Sequence, residues 1–209
     1  MHYSTLSKTL QLAFVLSTQA ISLPVQGNEV ALPEGYTESP LVWELQSHPD
    51  GETFSMEGTV EQVHQELTRR NPNYLADFGI ELDERDDDSN DALVTRDTCH
   101  SEWHSIVCGW DSPIAETKAI RAGISYLRGV PGKPHLGAGP GNCSRVSCSY
   151  SSAIYWCNDR NKAWSLGSFN SIAKGAQCIY NDCQANAKVK GEASARGSAW
   201  RVIIAHANC

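Results

Sequence analysis

Residues 142–159, NCSRVSCSYSSAIYWCND, hold three cysteines, two tyrosines and a tryptophan within eighteen residues. From Arg145 onward the side chains alternate between two faces, which is the pattern of a half-buried β-strand. The adjacent Ser151 and Ser152 are expected to bend the stretch into two strands. One predicted face carries Val146, Cys148, Tyr150, Ile154 and Trp156, and the other carries Arg145, Ser147, Ser149, Ser151 and Ala153. The stretch therefore predicts the centre of a small, strand-based domain.

Cysteine usage indicates that this domain is crosslinked. All eight cysteines of the 209-residue chain follow residue 96, and they are Cys99, Cys108, Cys143, Cys148, Cys157, Cys178, Cys183 and Cys209. None of their spacings is the two-residue gap typical of zinc knuckles, so neither a metal nor a cofactor is expected, and four disulfides are. Each bridge could add about 2 to 4 kcal/mol to a small core. About a hundred pairings are possible, so the connectivity stays open.

Charge divides the chain at the same point. Residues 1–96 carry 17 acidic and 5 basic side chains, whereas residues 97–209 carry 7 acidic and 12 basic side chains. The two parts therefore have net charges of −12 and +5. Opposite charges predict that the acidic part docks on the basic part and masks it.

The N-terminus has the features of a secretory signal peptide. Lys8 precedes an apolar run over residues 10–16, and small residues suited to cleavage follow at Ala20 and Ser22. We therefore expect a signal peptide over residues 1–20. No later stretch approaches the ~20 apolar residues of a transmembrane helix. We therefore expect an extracellular protein, in an oxidising compartment that permits disulfides. We also expect it to be a monomer.

The region after the signal peptide has a pattern of its own. Strands are predicted over residues 41–45 and 53–56, joined by a turn at residues 48–51. A helix follows Thr59, which forms a capping box with Gln62. Its apolar stripe consists of Val60, Val63 and Leu67. So small a unit without bridges needs a partner to be stable.

An acidic linker separates this unit from the cysteines. Seven of the eleven residues in the segment 81–91 are Asp or Glu, which predicts a disordered, self-repelling tether. Arg96 is the expected processing site in that tether, so residues 21–96 are interpreted as an acidic pro-region and residues 97–209 as the mature domain. The alternative is an N-terminal domain that stays attached. The dibasic pair Arg69-Arg70 lies inside the predicted helix and is a poor protease site.

The mature part is predicted to contain two helices. Residues 99–108 are interpreted as an irregular arm, and Ser112-Pro113 as the start of a helix over residues 113–128. A second helix is expected after Ser168, and a final strand over residues 200–206. Two helices on a small, mainly antiparallel sheet predict a disulfide-rich, two-layer α+β sandwich.

Residues 129–142 contain five glycines and three prolines and predict a long surface loop. Such loops often carry function, although a plain connection is an equal alternative. The residues proposed for binding on or near this loop are Lys133, His135, Arg145, Arg160 and Lys162. Asn142-Cys143-Ser144 also matches the glycosylation sequon.

Three parts of the sequence resemble a group of fungal secreted cysteine-rich proteins. They are the segment GPGNCSRVSCSYSSAIYWCND from Gly139, the IAKGA run of the second helix, and the tryptophan strand that ends in the terminal cysteine. This group is similar in layout to the fungal extracellular effector and necrosis-inducing family and, more distantly, to the smut-virus killer toxins. The resemblance covers about residues 99–209, and the GTVEQV segment fits the same group. It implies an effector or toxin, and no functional residue is carried over from it.

Two functions remain open from the sequence. The first is an effector or killer-type toxin that binds a protein, cell-wall or membrane target on another cell and is held by its own pro-region until cleavage. The second is a small ribonuclease-like hydrolase, because acid and base pairs can cleave phosphodiesters. Its candidate residues are His104, His135, His206, Glu116 and Arg145. The aromatic residues Tyr155, Trp156 and Trp164 could stack on rings of a ligand or belong to the core.

Overall fold

The computed structural model describes residues 32–80, 96–109, 111–197 and 199–209. The predicted signal peptide and the acidic linker lie outside these residues. The helices are α1 (Val60–Arg70), α2 (Tyr74–Asp77), α3 (Arg96–Glu102), α4 (Thr117–Gly129) and α5 (Asn170–Cys183). The strands are β1 (Thr37–Glu38), β2 (Val42–Gln46), β3 (Thr53–Glu57), β4 (Trp103–Cys108), β5 (Ala115–Glu116), β6 (His135–Leu136), β7 (Asn142–Ser149), β8 (Ser152–Asn158), β9 (Trp164–Ser165), β10 (Gln184–Ala185), β11 (Lys188–Val189), β12 (Gly191–Ala195) and β13 (Trp200–His206).

A six-stranded sheet in the order β1-β7-β8-β13-β12-β4 forms the centre of the fold. Only β1 and β7 pair in parallel; the other neighbours are antiparallel. Every residue of β8 is buried, because both faces of the sheet are covered. Ile154 and Trp156 face α4 and α5, whereas Tyr155 and Cys157 belong to a second apolar cluster on the opposite face. The predicted small, disulfide-rich α+β class is confirmed.

The helix α4 begins later than the sequence predicts. Ala115 and Glu116 pair with β11 as the short strand β5, so the chain is extended until Thr117. The expected start at Ser112-Pro113 is therefore wrong. The expected stripe of this helix is confirmed, since Ile120, Ile124 and Leu127 are buried.

The predicted irregular arm over residues 99–108 is also wrong. Its first residues form α3 and the rest form β4, the outermost strand of the main sheet. Two disulfides, Cys99–Cys178 and Cys108–Cys183, join these elements to α5. The sheet therefore gains an edge strand that the crosslinks hold in place.

The central stretch forms the predicted hairpin with two differences. Its turn residues are Tyr150 and Ser151, whose φ angles of 47° and 54° are those of a two-residue hairpin loop, one position before the expected bend. A register shift between Arg145 and Ser147 breaks the predicted alternation. Cys148 therefore lies on the opposite face from Ile154, and the predicted shared face is wrong at this point.

All eight cysteines are paired. Besides the two bridges to α5, Cys143–Cys157 crosslinks β7 to β8 and Cys148–Cys209 fastens the C-terminus to β7. Both of these bridges lie with the second apolar cluster on the face of the sheet away from α4 and α5.

Residues 32–80, called here the N-terminal unit, contain the predicted strand, strand and helix. β2 and β3 pair antiparallel, Gln62 Oε1 accepts a 2.9 Å hydrogen bond from Thr59 N–H, and the predicted apolar stripe of α1 is buried. The buried residues of this unit belong to the same apolar cluster as those of α4 and α5. The partner that the unit needs is therefore the cysteine-rich part of its own chain.

Candidate binding surface

Two loops lie side by side at one end of the main sheet. They comprise residues 130–141 and residues 158–166 and are called here the basic loop pair. Backbone pairing joins them, since β6 runs antiparallel to β9 with His135 opposite Ser165. The His135 Nδ1 atom lies 2.8 Å from Ser165 Oγ, which adds a side-chain contact to this pairing.

A buried asparagine fixes the two loops to each other. Asn158 is fully buried, and its Nδ2 donates hydrogen bonds of 2.8 Å to Gly137 O and to Lys162 O. Gly139 N–H also donates to Arg160 O at 2.7 Å. A Cβ atom on Gly139 would lie 1.9 Å from Asn158 O, so only glycine allows this approach. The loop pair is therefore a fixed surface.

The surface of the basic loop pair combines cations with an aromatic ring. Lys133, His135 and Lys162 are exposed, and the Arg160 guanidinium lies 3.5 Å from the centroid of the half-buried Trp164 ring. Stacking on the Trp164 ring orders the Arg160 side chain, and the guanidinium stays positively charged in this contact. Four of the five residues predicted for binding are thus brought together, and such a surface can attract an anionic partner.

Arg145, the fifth predicted residue, lies elsewhere. It sits on β7 at the seam, meaning the contact between the N-terminal unit and the cysteine-rich part. Its Nε is 3.2 Å from a carboxylate oxygen of Glu38, and its Nη1 donates to Asn208 O at 2.7 Å. The expectation that Arg145 belongs to the binding loop is therefore wrong, because the N-terminal unit engages its charge.

A groove of about 600 Å³ runs along the seam beside the Cys148–Cys209 bridge. Tyr155 lines it but is fully buried, and its hydroxyl has no hydrogen-bond partner among the residues described. Burial raises the pKa of Tyr155 to about 12, and the nearby Glu38 carboxylate adds to the effect. The hydroxyl is therefore protonated under ordinary conditions.

The residues considered for hydrolysis do not form one site. His104 lies on β4, His135 in the basic loop pair and Arg145 at the seam. Only Glu116 and His206 come together, where they line a pocket of about 410 Å³. Lys188 lines it too and forms an ion pair with Glu116. An acid, a base and a cation in one pocket are the groups that phosphodiester cleavage would need.

The aromatic residues separate into core and surface. Tyr155 and Trp156 are fully buried and cannot stack on a ligand, whereas Trp164 is partly exposed beneath Arg160. Across the described ranges, no group of three or more metal-ligating side chains is close enough to hold an ion. Nor does any helix in those ranges have the length and apolar character to cross a membrane.

The two modification sites have different surroundings. Arg96 is the first residue of α3, and proteases cut exposed loops more readily than helices. Asn142 begins β7, and its Nδ2, the atom that a glycan would occupy, donates to Ala138 O at 3.2 Å. Cleavage and glycosylation both stay predictions.

Two important residues were not singled out from the sequence. Asn158 stands near the end of the central stretch with no local signal of burial, although a buried asparagine between two loops often satisfies several backbone groups. Glu61 was overlooked because an acidic residue in the first turn of a helix already has a local explanation in the helix dipole. In the fold it reaches across the seam to Ser147 and Cys148.

The fold and its crosslinks define a small disulfide-rich α+β protein with a basic loop surface. Comparison with protein-family models, with curated proteins and with solved structures found no match.

Proposed function

We propose that the protein is a secreted effector or killer-type toxin that binds an anionic target on another cell through the basic loop pair. The observation that carries this proposal is the pairing of the two loops that carry Lys133, His135, Arg160 and Lys162, with the Arg160 guanidinium over the Trp164 ring. Four disulfides support secretion, because such bridges form in oxidising compartments. The resemblance to fungal cysteine-rich effectors and killer toxins supports the class.

A fixed cationic surface suits this role. Long-range attraction brings an anionic target to the loop pair, and a loop backbone that is already held in place loses little freedom on binding. Trp164 offers an apolar contact beneath the charge. Cleavage after Arg96 belongs to the same proposal, since it would detach the acidic linker, residues 81–91, from the basic part of the chain.

The test reverses charge on the loop pair. The double variant Lys133→Glu, Lys162→Glu is compared with Lys118→Glu, Lys174→Glu, which makes the same change of net charge on helices α4 and α5. Fluorescently labelled proteins are applied to plant and fungal cells at low and physiological salt. We expect the loop variant to lose at least tenfold in cell binding and the control to stay within about twofold. Equal losses would mean that net charge alone governs binding and would count against the loop pair.

The pocket lined by Glu116, Lys188 and His206 favours a second candidate, a hydrolase acting on phosphodiesters. A fluorogenic oligoribonucleotide assay with wild type and His206→Ala separates the two functions. The leading proposal predicts no turnover and unchanged cell binding by His206→Ala. Turnover that falls a thousandfold or more in the folded variant would establish the hydrolase instead.

A further inference from the structure

The N-terminal unit completes an open edge of the main sheet. β1 pairs in parallel with β7, and Ser39 N–H continues the ladder by donating to Cys143 O at 2.7 Å. The fully buried Ser144 returns a bond, since its Oγ donates to Ser39 O at 2.6 Å. Without residues 37–39, β7 would become an exposed edge with unpaired backbone groups.

The same unit contacts both faces of that sheet. Tyr36 packs against the second apolar cluster on the face away from the helices. On the helix side, the Trp43 ring stacks on Phe169 with the ring centroids 4.2 Å apart and the planes 10° apart. Both of these stacked residues are almost fully buried. The N-terminal unit therefore wraps around the β7 edge.

A carboxylate of α1 fills a site formed by β7 and α4. Glu61 accepts hydrogen bonds from Ser147 Oγ at 2.5 Å and from Cys148 N–H at 3.1 Å. The register shift in β7 turns Ser147 toward α4, where a Cβ atom on Gly123 would lie 2.2 Å from its Oγ. Glycine at position 123, the irregular strand and the acidic residue on α1 therefore fit one another.

Ion pairs contribute little to this contact. Among the described residues, Arg145–Glu38 is the one ion pair across the seam, and both of its side chains are about a quarter exposed. Partly exposed pairs of this kind contribute little, because solvent and salt screen them. Buried aromatic and aliphatic groups contribute more, because their apolar surface is removed from water. The seam is therefore held mainly by buried apolar contacts, and not by the opposite net charges of the two parts.

We infer that the N-terminal unit stays bound to the cysteine-rich part after the linker is cut, so that the processed protein is a noncovalent two-chain molecule. In this state cleavage releases only the C-terminal end of the acidic linker, which stays attached to the N-terminal unit, and it leaves β7 covered. The inference rests on the seam and is independent of what the basic loop pair binds.

The experiment cuts the folded full-length protein. A recognition sequence for a site-specific protease replaces residues 86–91, and the protein is cleaved completely after purification. Size-exclusion chromatography in 1 M NaCl follows, where the screening length is about 3 Å. We expect the two chains to elute together, with native mass spectrometry showing a 1:1 complex. Separate elution in 1 M NaCl without denaturant would overturn the inference.

Matched variants then test the seam itself. Glu61→Gln weakens the contact with Ser147 and Cys148. Glu66→Gln makes the same charge change on α1 at a residue whose hydrogen-bond partners, among the described residues, are Arg69 and Arg70 of its own helix. We expect the cleaved Glu61→Gln protein to dissociate at least tenfold faster in moderate urea and Glu66→Gln to match wild type. Equal dissociation rates for the two variants would overturn the role assigned to Glu61.

Discussion

Trp43→Ala tests whether the N-terminal unit and the cysteine-rich part unfold together. Trp43 is 1% exposed, its ring stacks on Phe169, and its Nε1–H donates to Gly58 O at 2.8 Å. Replacing a buried tryptophan by alanine costs about 3 to 5 kcal/mol. The fold has few ways to collapse around the gap, because Phe169 precedes α5, which disulfides fix to α3 and β4.

The assay is urea unfolding with the disulfides intact, followed by near-ultraviolet circular dichroism. With a denaturant slope of about 2 kcal/mol per molar urea, we expect the midpoint to fall by about 1.5 to 2.5 M. Val42→Ala is the control, since this neighbour on β2 is 50% exposed and its loss should cost less than about 0.5 kcal/mol. An unchanged midpoint for Trp43→Ala in the signal of the cysteine-rich part would refute the shared core.

Three further predictions concern single side chains. Gly139→Ala should cost about 1 to 3 kcal/mol, because its new methyl group meets Asn158 O, and differential scanning calorimetry measures the loss. Tyr155→Phe should leave the free energy of unfolding unchanged or raise it by about 1 kcal/mol, because it removes a buried hydroxyl without a partner among the described residues. A clear loss of stability would instead show that the hydroxyl has a hydrogen-bond partner. Hydrogen bonds from Arg69 and Arg70 lower the pKa of Glu66 to about 2, which a carboxyl NMR titration measures. The stability linked to this carboxylate is therefore complete above its unfolded pKa and declines as the pH falls toward 2.

The sequence predicted those helices and strands that are determined by residues close to one another in the chain. The capping residues Thr59 and Gln62 set the start of α1, and the alternation of Trp200, Val202 and Ile204 set the inner face of β13. Both patterns are complete within a few residues, so no distant contact is needed to read them.

Features set by distant contacts could not be predicted. The strand β4 lacks a clear alternation because it is a sheet edge that pairs with β12, some ninety residues later in the chain. The bulge in β7 lies where Ser147 meets Glu61, 86 residues away in sequence. Disulfide partners 61 to 79 residues apart, as in three of the four bridges, follow from the same tertiary arrangement.

The candidate surface was predicted in part for the same reason. Lys133 and His135 share one loop and were grouped from sequence, and the antiparallel pairing of β6 with β9 brings Arg160 and Lys162 beside them. Arg145 was grouped with them by charge alone. It lies on β7, and its side chain meets Glu38, which no local pattern connects to it.

Native-state hydrogen exchange tests the shared core most directly. The Val63 amide of α1, which donates to Thr59 O, is compared with the amides of Ile154 and Trp156 in β8 as urea is raised. We predict that all three exchange through one global opening, with free energies within about 1 kcal/mol and the same dependence on urea. Opening of the α1 amide several kcal/mol below those of β8 would contradict the account, because the N-terminal unit would then detach while the cysteine-rich part stayed folded.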